Sequence, residues 1–121
     1  MNDSTIKLAD IAHARSGDKG NHANIAVLAY TDAGYAWLRD NLTAERIAEF
    51  LRPKALPGRV VRYVADNVRA LNFVLYDFLD GGASLSPNID SQGKALGLAV
   101  LQMDLPRPSN VDAMRRPTPS T

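Results

Sequence analysis

The sequence predicts an α+β fold: one sheet with helices packed on one of its faces. Three observations point to it. The run Ala23 to Tyr30 is almost continuously apolar, as a central strand requires. Apolar residues then fall at helical spacing after Thr31 and again after Thr43, and strict alternation returns at Arg59 to Ala65. The order strand, strand, helices, strand is not a regular βαβ alternation, so the helices belong to a layer of their own. With 121 residues, 45% hydrophobic and 22% charged, the chain has the size and balance of one globular domain. A chain of this length buries roughly two thirds of its unfolded surface, enough for a core without disulfides or metals.

Each element has its own sequence reason. Over Thr5 to Ile11, Ile6 and Leu8 alternate with Lys7, Ala9 and Ile11, a first strand. Ala14 to His22 has two glycines and no apolar periodicity, and is expected to be a loop. Thr31 or Asp32 can cap a helix that turns Tyr35, Leu38 and Leu42 inward. Thr43, with Glu45 behind it, caps a second helix bearing Ile47, Phe50 and Leu51, which Pro53 ends. Leu56-Pro57-Gly58 turns the chain into the third strand, Arg59 to Ala65. Asn67 is placed to cap a further helix, because Val68, Leu71, Leu75 and Phe78 follow helical spacing, and Gly81-Gly82 can stop it. Ala83 to Asn88 suits a short strand. Residues 91–105 fit a helix through Leu96, Val100 and Met103 or a strand ending at Leu105, since Gly93 and Gly97 weaken the helix. The elements together suit a ferredoxin-like sandwich with a mixed or antiparallel sheet, spanning residues 1–105. Residues 106–121, with four prolines among small and polar residues, are expected to form a flexible tail that neither pairs nor buries much.

Composition excludes several functions. With no cysteine, thiolate catalysis, disulfide scaffolds and sulfur-bound zinc are ruled out. A net charge of +1 and the lack of a basic stripe argue against nucleic acid as a partner. No apolar run approaches the roughly 20 residues of a membrane helix, and the polar start lacks the layout of a signal peptide. The expectation is a cytoplasmic protein without a membrane partner. A small sheet leaves an edge or face to cover, so a homo-oligomer is expected.

Chemistry concentrates in Arg15-Ser16-Gly17-Asp18-Lys19-Gly20-Asn21-His22. Glycines let backbone N–H groups turn toward one point and hold an anion. Arg15 can grip a carboxylate or phosphate in two-pronged fashion, and Lys19 adds a point charge. Asp18 can orient either cation or accept a proton, and His22 can serve as an acid–base group. The plainer reading is that these residues decorate a tight connection, as polar loops commonly do. No Walker spacing and no G-x-S-x-G motif is present. His13 and His22 could approach each other if the two strands pair as a hairpin, with Asp10 or Asp18 as the further ligand a metal would need. His13 reads more simply as a strand-end histidine, and no metal site is expected. Asn24, within an apolar strand, and Asn72, within an apolar helix face, each need partners if buried. Asp90 and Lys94 form an ordinary helical pair or offer Lys94 as a ligand-binding cation.

The stretch Leu8-Ala9-Asp10-Ile11-Ala12-His13-Ala14-Arg15-Ser16-Gly17-Asp18-Lys19-Gly20-Asn21, continuing to Asn24-Ile25-Ala26-Val27, resembles the small ferredoxin-fold domain of the acyclic terpene utilisation (AtuA-like) family. Leu71-Asn72-Phe73-Val74-Leu75, Leu79-Asp80-Gly81-Gly82 and Asp90-Ser91-Gln92-Gly93-Lys94-Ala95-Leu96 follow in the same order. Ala26 stands where the family usually has glycine. The resemblance implies a part in the catabolism of acyclic terpenoids and similar branched acids as coenzyme A thioesters. It also implies a small subunit that pairs with a larger AtuA-type protein. The alternatives are a self-sufficient lyase or hydratase using Asp18 or His22 and a non-catalytic module whose loop holds two strands in register. As a site, the loop has Asp18, Lys19 and His22 as catalytic groups. Arg15, Ser16, Gly17, Gly20, Asn21, Asn24, Asn72 and Lys94 would bind substrate. No resident cofactor and no metal is expected, and a coenzyme A thioester would enter as substrate.

Overall fold

A computed structural model describes residues 4–19, 22–51, 60–76 and 96–116, with the backbone but not the side chains of Asp18 and Lys19. Its strands are β1 (Thr5–Lys7), β2 (Ala12–Lys19), β3 (His22–Ala29), β4 (Val60–Ala65), β5 (Ala70–Leu75) and β6 (Asp104–Pro106). Its α-helices are α1 (Asp32–Asn41) and α2 (Ala44–Phe50), together with α3, described over residues 96–100. Four strands form an antiparallel sheet in the order β2-β3-β5-β4, and β1 pairs with β6 in a second small sheet. The α+β, ferredoxin-like architecture expected from the sequence is the one observed.

The two helices arise where their caps predict. The Thr31 side chain accepts the Gly34 N–H at 3.0 Å, and the Thr43 side chain accepts the Arg46 N–H at 3.1 Å. Each bond satisfies one of the donors that a helix start leaves open. Tyr35, Leu38, Leu42, Ile47 and Ala48 are buried against the sheet, while Phe50 lies largely exposed at the end of α2. The facing sheet residues are Ala23, Ile25, Val27 and Ala29 of β3 with Leu71, Phe73 and Leu75 of β5, all buried. Period-two alternation thus assigns the intervening residues to an outer sheet face. Arg62 of β4 donates to the carbonyls of Arg39 at 2.7 Å and Leu42 at 2.9 Å, satisfying acceptors at the end of α1.

The structure corrects the sequence reading at five places. The expected first strand is broken: a 3-10 turn at Leu8–Asp10 separates β1 from β2, with the Lys7 N–H donating to Asp10 at 3.1 Å. The expected loop at residues 14–22 is mostly strand, because β2 runs to Lys19 and pairs with β3 throughout. The helix expected after Asn67 is a 3-10 turn at Asp66–Val68 followed by β5. Leu71 and Leu75 satisfy helical spacing, but Phe73 between them is buried as well, which only alternation accommodates. Arg69 ends the turn in the left-handed region, at φ 55°. Over residues 96–106 helix and strand are both present in succession, α3 and then β6.

The fifth correction concerns the segment after residue 105. Pro106 pairs with Thr5 in the β1–β6 ladder, and the Arg107 N–H donates to the Ser4 carbonyl at 2.9 Å. Val111 and Met114 are buried in the same core as Ile25 and Phe73. A Cβ on Gly34 of α1 would sit 3.5 Å from the Met114 Cβ, so the helix and this segment meet closely. Apolar residues spaced among prolines and polar residues were enough to anchor the stretch once a partner surface existed. The expected turn at residues 56–58, the glycines 81 and 82, the short strand at 83–88 and the pair Asp90 and Lys94 lie outside the described residues.

Candidate functional site

The polar block forms the first strand of the β2–β3 hairpin, and this determines where its side chains go. The register pairs Arg15 with Ala26, Ser16 with Ile25, Gly17 with Asn24, Asp18 with Ala23 and Lys19 with His22. Residues opposite buried Ile25 and Ala23 belong to the core face, and their neighbours to the outer face. Arg15 and Gly17 therefore share the outer face with His13, while Ser16 turns to the other side. The ladder points successive amides from Arg15 to Lys19 in opposite directions, so these five residues of the expected Arg15–Asn21 anion-binding loop form no nest by themselves. Gly20 and Asn21 lie outside the described residues.

Ser16 holds the hairpin to α3. Its hydroxyl accepts the Gly97 N–H at 2.8 Å. A Cβ on Gly97 would come within 3.1 Å of that oxygen and 3.4 Å of the Ser16 nitrogen. The absence of a side chain at Gly97 thus permits the close approach that the hydrogen bond needs.

On the outer face, the structure assembles a group the sequence did not reveal. His13 stacks on Tyr30, with ring centroids 5.5 Å apart and an interplanar angle of 27°. The Arg116 guanidinium lies 5.9 Å from the centre of the same Tyr30 ring. Arg15 stands two residues from His13 on the same face and is exposed. Among the described residues the side chains of Arg15 and Arg116 make no ion pair or hydrogen bond, in contrast to Arg39 and Arg69, each of which has a carboxylate partner at 3.4 Å. Cations on a shared face without internal counter-charges suit an anion supplied from outside. Nothing in the sequence spacing could have joined Arg116 to Tyr30, since the contact depends on how the last described segment returns to the sheet.

Other expected site residues spread along the same face. His22 sets its ring edge-on to Tyr76 at 5.1 Å, and the Tyr76 and Tyr63 hydroxyls lie 3.3 Å apart. The Tyr76 phenol is pushed above its ordinary pKa first by that hydrogen bond and then by the charge Tyr63 would carry. Asn24 is exposed, not buried as its apolar surroundings suggested, with its side-chain oxygen toward Gly17. Asn72 sits in β5 opposite Ala26 and Tyr63, on the outer face of a strand where a helix face was expected. His13 and His22 occupy opposite ends of the hairpin, roughly 20 Å apart at the usual rise per residue, so they do not approach each other. Among the described residues no group of three metal-ligating side chains converges.

The geometry is that of a helix-backed antiparallel sheet with a polar first hairpin. Residues 6–106 match the model of a known family, the AtuA ferredoxin-like domain. The chain belongs to that family. The match covers β1 through β6 and so includes both the hairpin and the strand that closes the second sheet. No curated protein and no solved structure matches the chain. Among the described residues of this AtuA ferredoxin-like chain, no helix is long and apolar enough to cross a membrane.

Proposed function

We propose that this chain is an accessory subunit of an enzyme of acyl-coenzyme A catabolism, acting on terpenoid or branched acids. In this reading the outer face of the β2–β3 hairpin binds an anionic part of the ligand. The observation that carries it is the pair of uncommitted cations, Arg15 and Arg116, flanking the His13–Tyr30 stack. A guanidinium binds phosphate or carboxylate through paired donors, and aromatic rings beside it offer a surface for a planar or apolar portion. Lys19 and His22, paired at the far end of the hairpin on the outer face, are the candidates for acid–base work on the bound ligand, whereas Asp18, opposite buried Ala23, belongs to the core face. A larger AtuA-type subunit would complete the site, and Gly20, Asn21, Asn24, Asn72 and Lys94 would line it.

The reading is tested by calorimetry with coenzyme A and with a branched acyl-coenzyme A, on the chain alone and together with an AtuA-type subunit. Arg15→Ala combined with Arg116→Ala should abolish binding while the circular dichroism spectrum stays unchanged. Undiminished binding by a folded double variant removes this face from the function. A second reading, that the hairpin is purely structural, draws support from Ser16, whose hydroxyl is engaged by Gly97. It predicts no heat with any coenzyme A ester, in the presence or absence of the larger subunit.

A further inference from the structure

We infer that a second copy of this chain docks on the β4 edge, joining the two four-stranded sheets into one antiparallel sheet across a two-fold axis. The four-stranded sheet ends in β2 on one side and β4 on the other. The two edges differ. Residues 96–100 pack over the core-side face of β2, where the Gly97 N–H donates to the Ser16 hydroxyl, so β2 is backed by α3. Beside β4, on the side away from β5, no strand pairs among the described residues.

Proteins usually protect an open edge with exposed charge, proline or a bulge. The strand Val60–Ala65 reads Val-Val-Arg-Tyr-Val-Ala, and its one charge is Arg62. That guanidinium is drawn to the Arg39 and Leu42 carbonyls at the end of α1, so it does not guard the edge. Instead the edge and its following turn carry exposed apolar side chains: Tyr63 at 49%, Val64 at 45% and Val68 at 56%. Val64 lies opposite buried Leu71, so the helical layer stops short of it.

The occupant follows from charge and symmetry. Near a two-fold axis every group meets its own copy, so an exposed central charge would repel itself. Removal of Arg62 from the edge lifts that repulsion and leaves the surface self-complementary. In a continuous sheet, residues opposite each other share a face, and an antiparallel register centred on Tyr63 fulfils this. It sets Tyr63 against Tyr63, Val61 against Ala65 and Arg62 against Val64, keeping the two Arg62 residues off the axis. This interface lies on β4, across β5 from the hairpin that carries Arg15, so its loss leaves Arg15 and Arg116 in place.

The test is sedimentation of the full chain over a range of micromolar concentrations. The wild type should dimerise, and Val64→Glu should raise the dimer Kd about tenfold or more, equivalent to about 1.4 kcal/mol. Leu98→Glu, at a more exposed apolar residue of α3, on the helix that packs at β2 rather than β4, should leave the dimer intact. A wild type that stays monomeric, or a Val64→Glu dimer as tight as wild type, overturns the inference. If Val64→Glu fails to fold, hydrogen exchange on the wild type decides. Protection of β4 amides must rise with protein concentration, and concentration-independent exchange there overturns the inference equally.

Discussion

Ser16→Ala is the perturbation that best probes how the hairpin is held. The substitution removes the oxygen that accepts the Gly97 N–H at 2.8 Å, and Gly97 itself is buried. A buried donor left without a partner costs about 1–3 kcal/mol, more than the net value of the bond it loses. Because Ser16 is only half-buried and water can reach part of the space, the lower half of that range applies, about 1–2 kcal/mol. Urea denaturation should show this as a lower midpoint with an unchanged slope, and thermal unfolding as a drop of about 4 °C per kcal/mol. A companion variant sharpens the argument. In Gly97→Ala the new methyl would lie 3.1 Å from the Ser16 hydroxyl, so the gain in helix propensity, about 1 kcal/mol, is offset by displacement of that oxygen. With Ser16 already alanine the obstruction is smaller, and Gly97→Ala should be less harmful than in the wild type. The double-mutant cycle should therefore show coupling of about 0.5 kcal/mol or more. Strict additivity, or a Ser16→Ala variant as stable as wild type, would refute the idea that this contact fastens the hairpin.

Two further outcomes follow from the core and from one phenol. The Tyr35 hydroxyl donates to Asp66 at 2.5 Å, and its pKa is raised above the ordinary tyrosine value by burial first and then by the Asp66 hydrogen bond and charge. A group whose folded pKa exceeds its unfolded one favours its protonated form on folding. Its contribution is therefore complete below about pH 10 and is lost as pH rises through the higher folded value. Tyr35→Phe should flatten this part of the alkaline stability profile, and an identical fall in both proteins would contradict the assignment. Met114→Ala should destabilise by about 2–5 kcal/mol, since the side chain is fully buried against the core. A loss below 1 kcal/mol in urea titration, roughly the level of a surface change, would mean that residues after 106 do not belong to the domain.

The sequence by itself determined the features that depend on near neighbours. Thr31 and Thr43 cap α1 and α2 as their spacing indicated, because the bond each makes spans three residues and needs no distant partner. The apolar stretch from Ala23 was recognisable as a central strand, and β3 does lie between β2 and β5, although only its alternate residues are buried. The resemblance carried by the Arg15–Asn21 block likewise needed only the order of residues.

Tertiary structure decided everything that a local pattern leaves degenerate. Leu71 and Leu75 fit both a helix and a strand, and the burial of Phe73 against the sheet settled the matter. The polar block became strand because an eight-residue ladder to β3 outweighed its loop-like composition. That ladder separated Arg15 from Ser16 onto opposite faces, leaving Arg15 exposed on the outer one and fastening Ser16 to Gly97. Arg116 reached Tyr30, and Met114 reached α1, only because β6 returns beside β1 and carries the following residues over the core. Short-range hydrogen bonds are written in adjacent residues. Contacts across the chain exist only after the ends have been brought together, and no window of sequence contains that information.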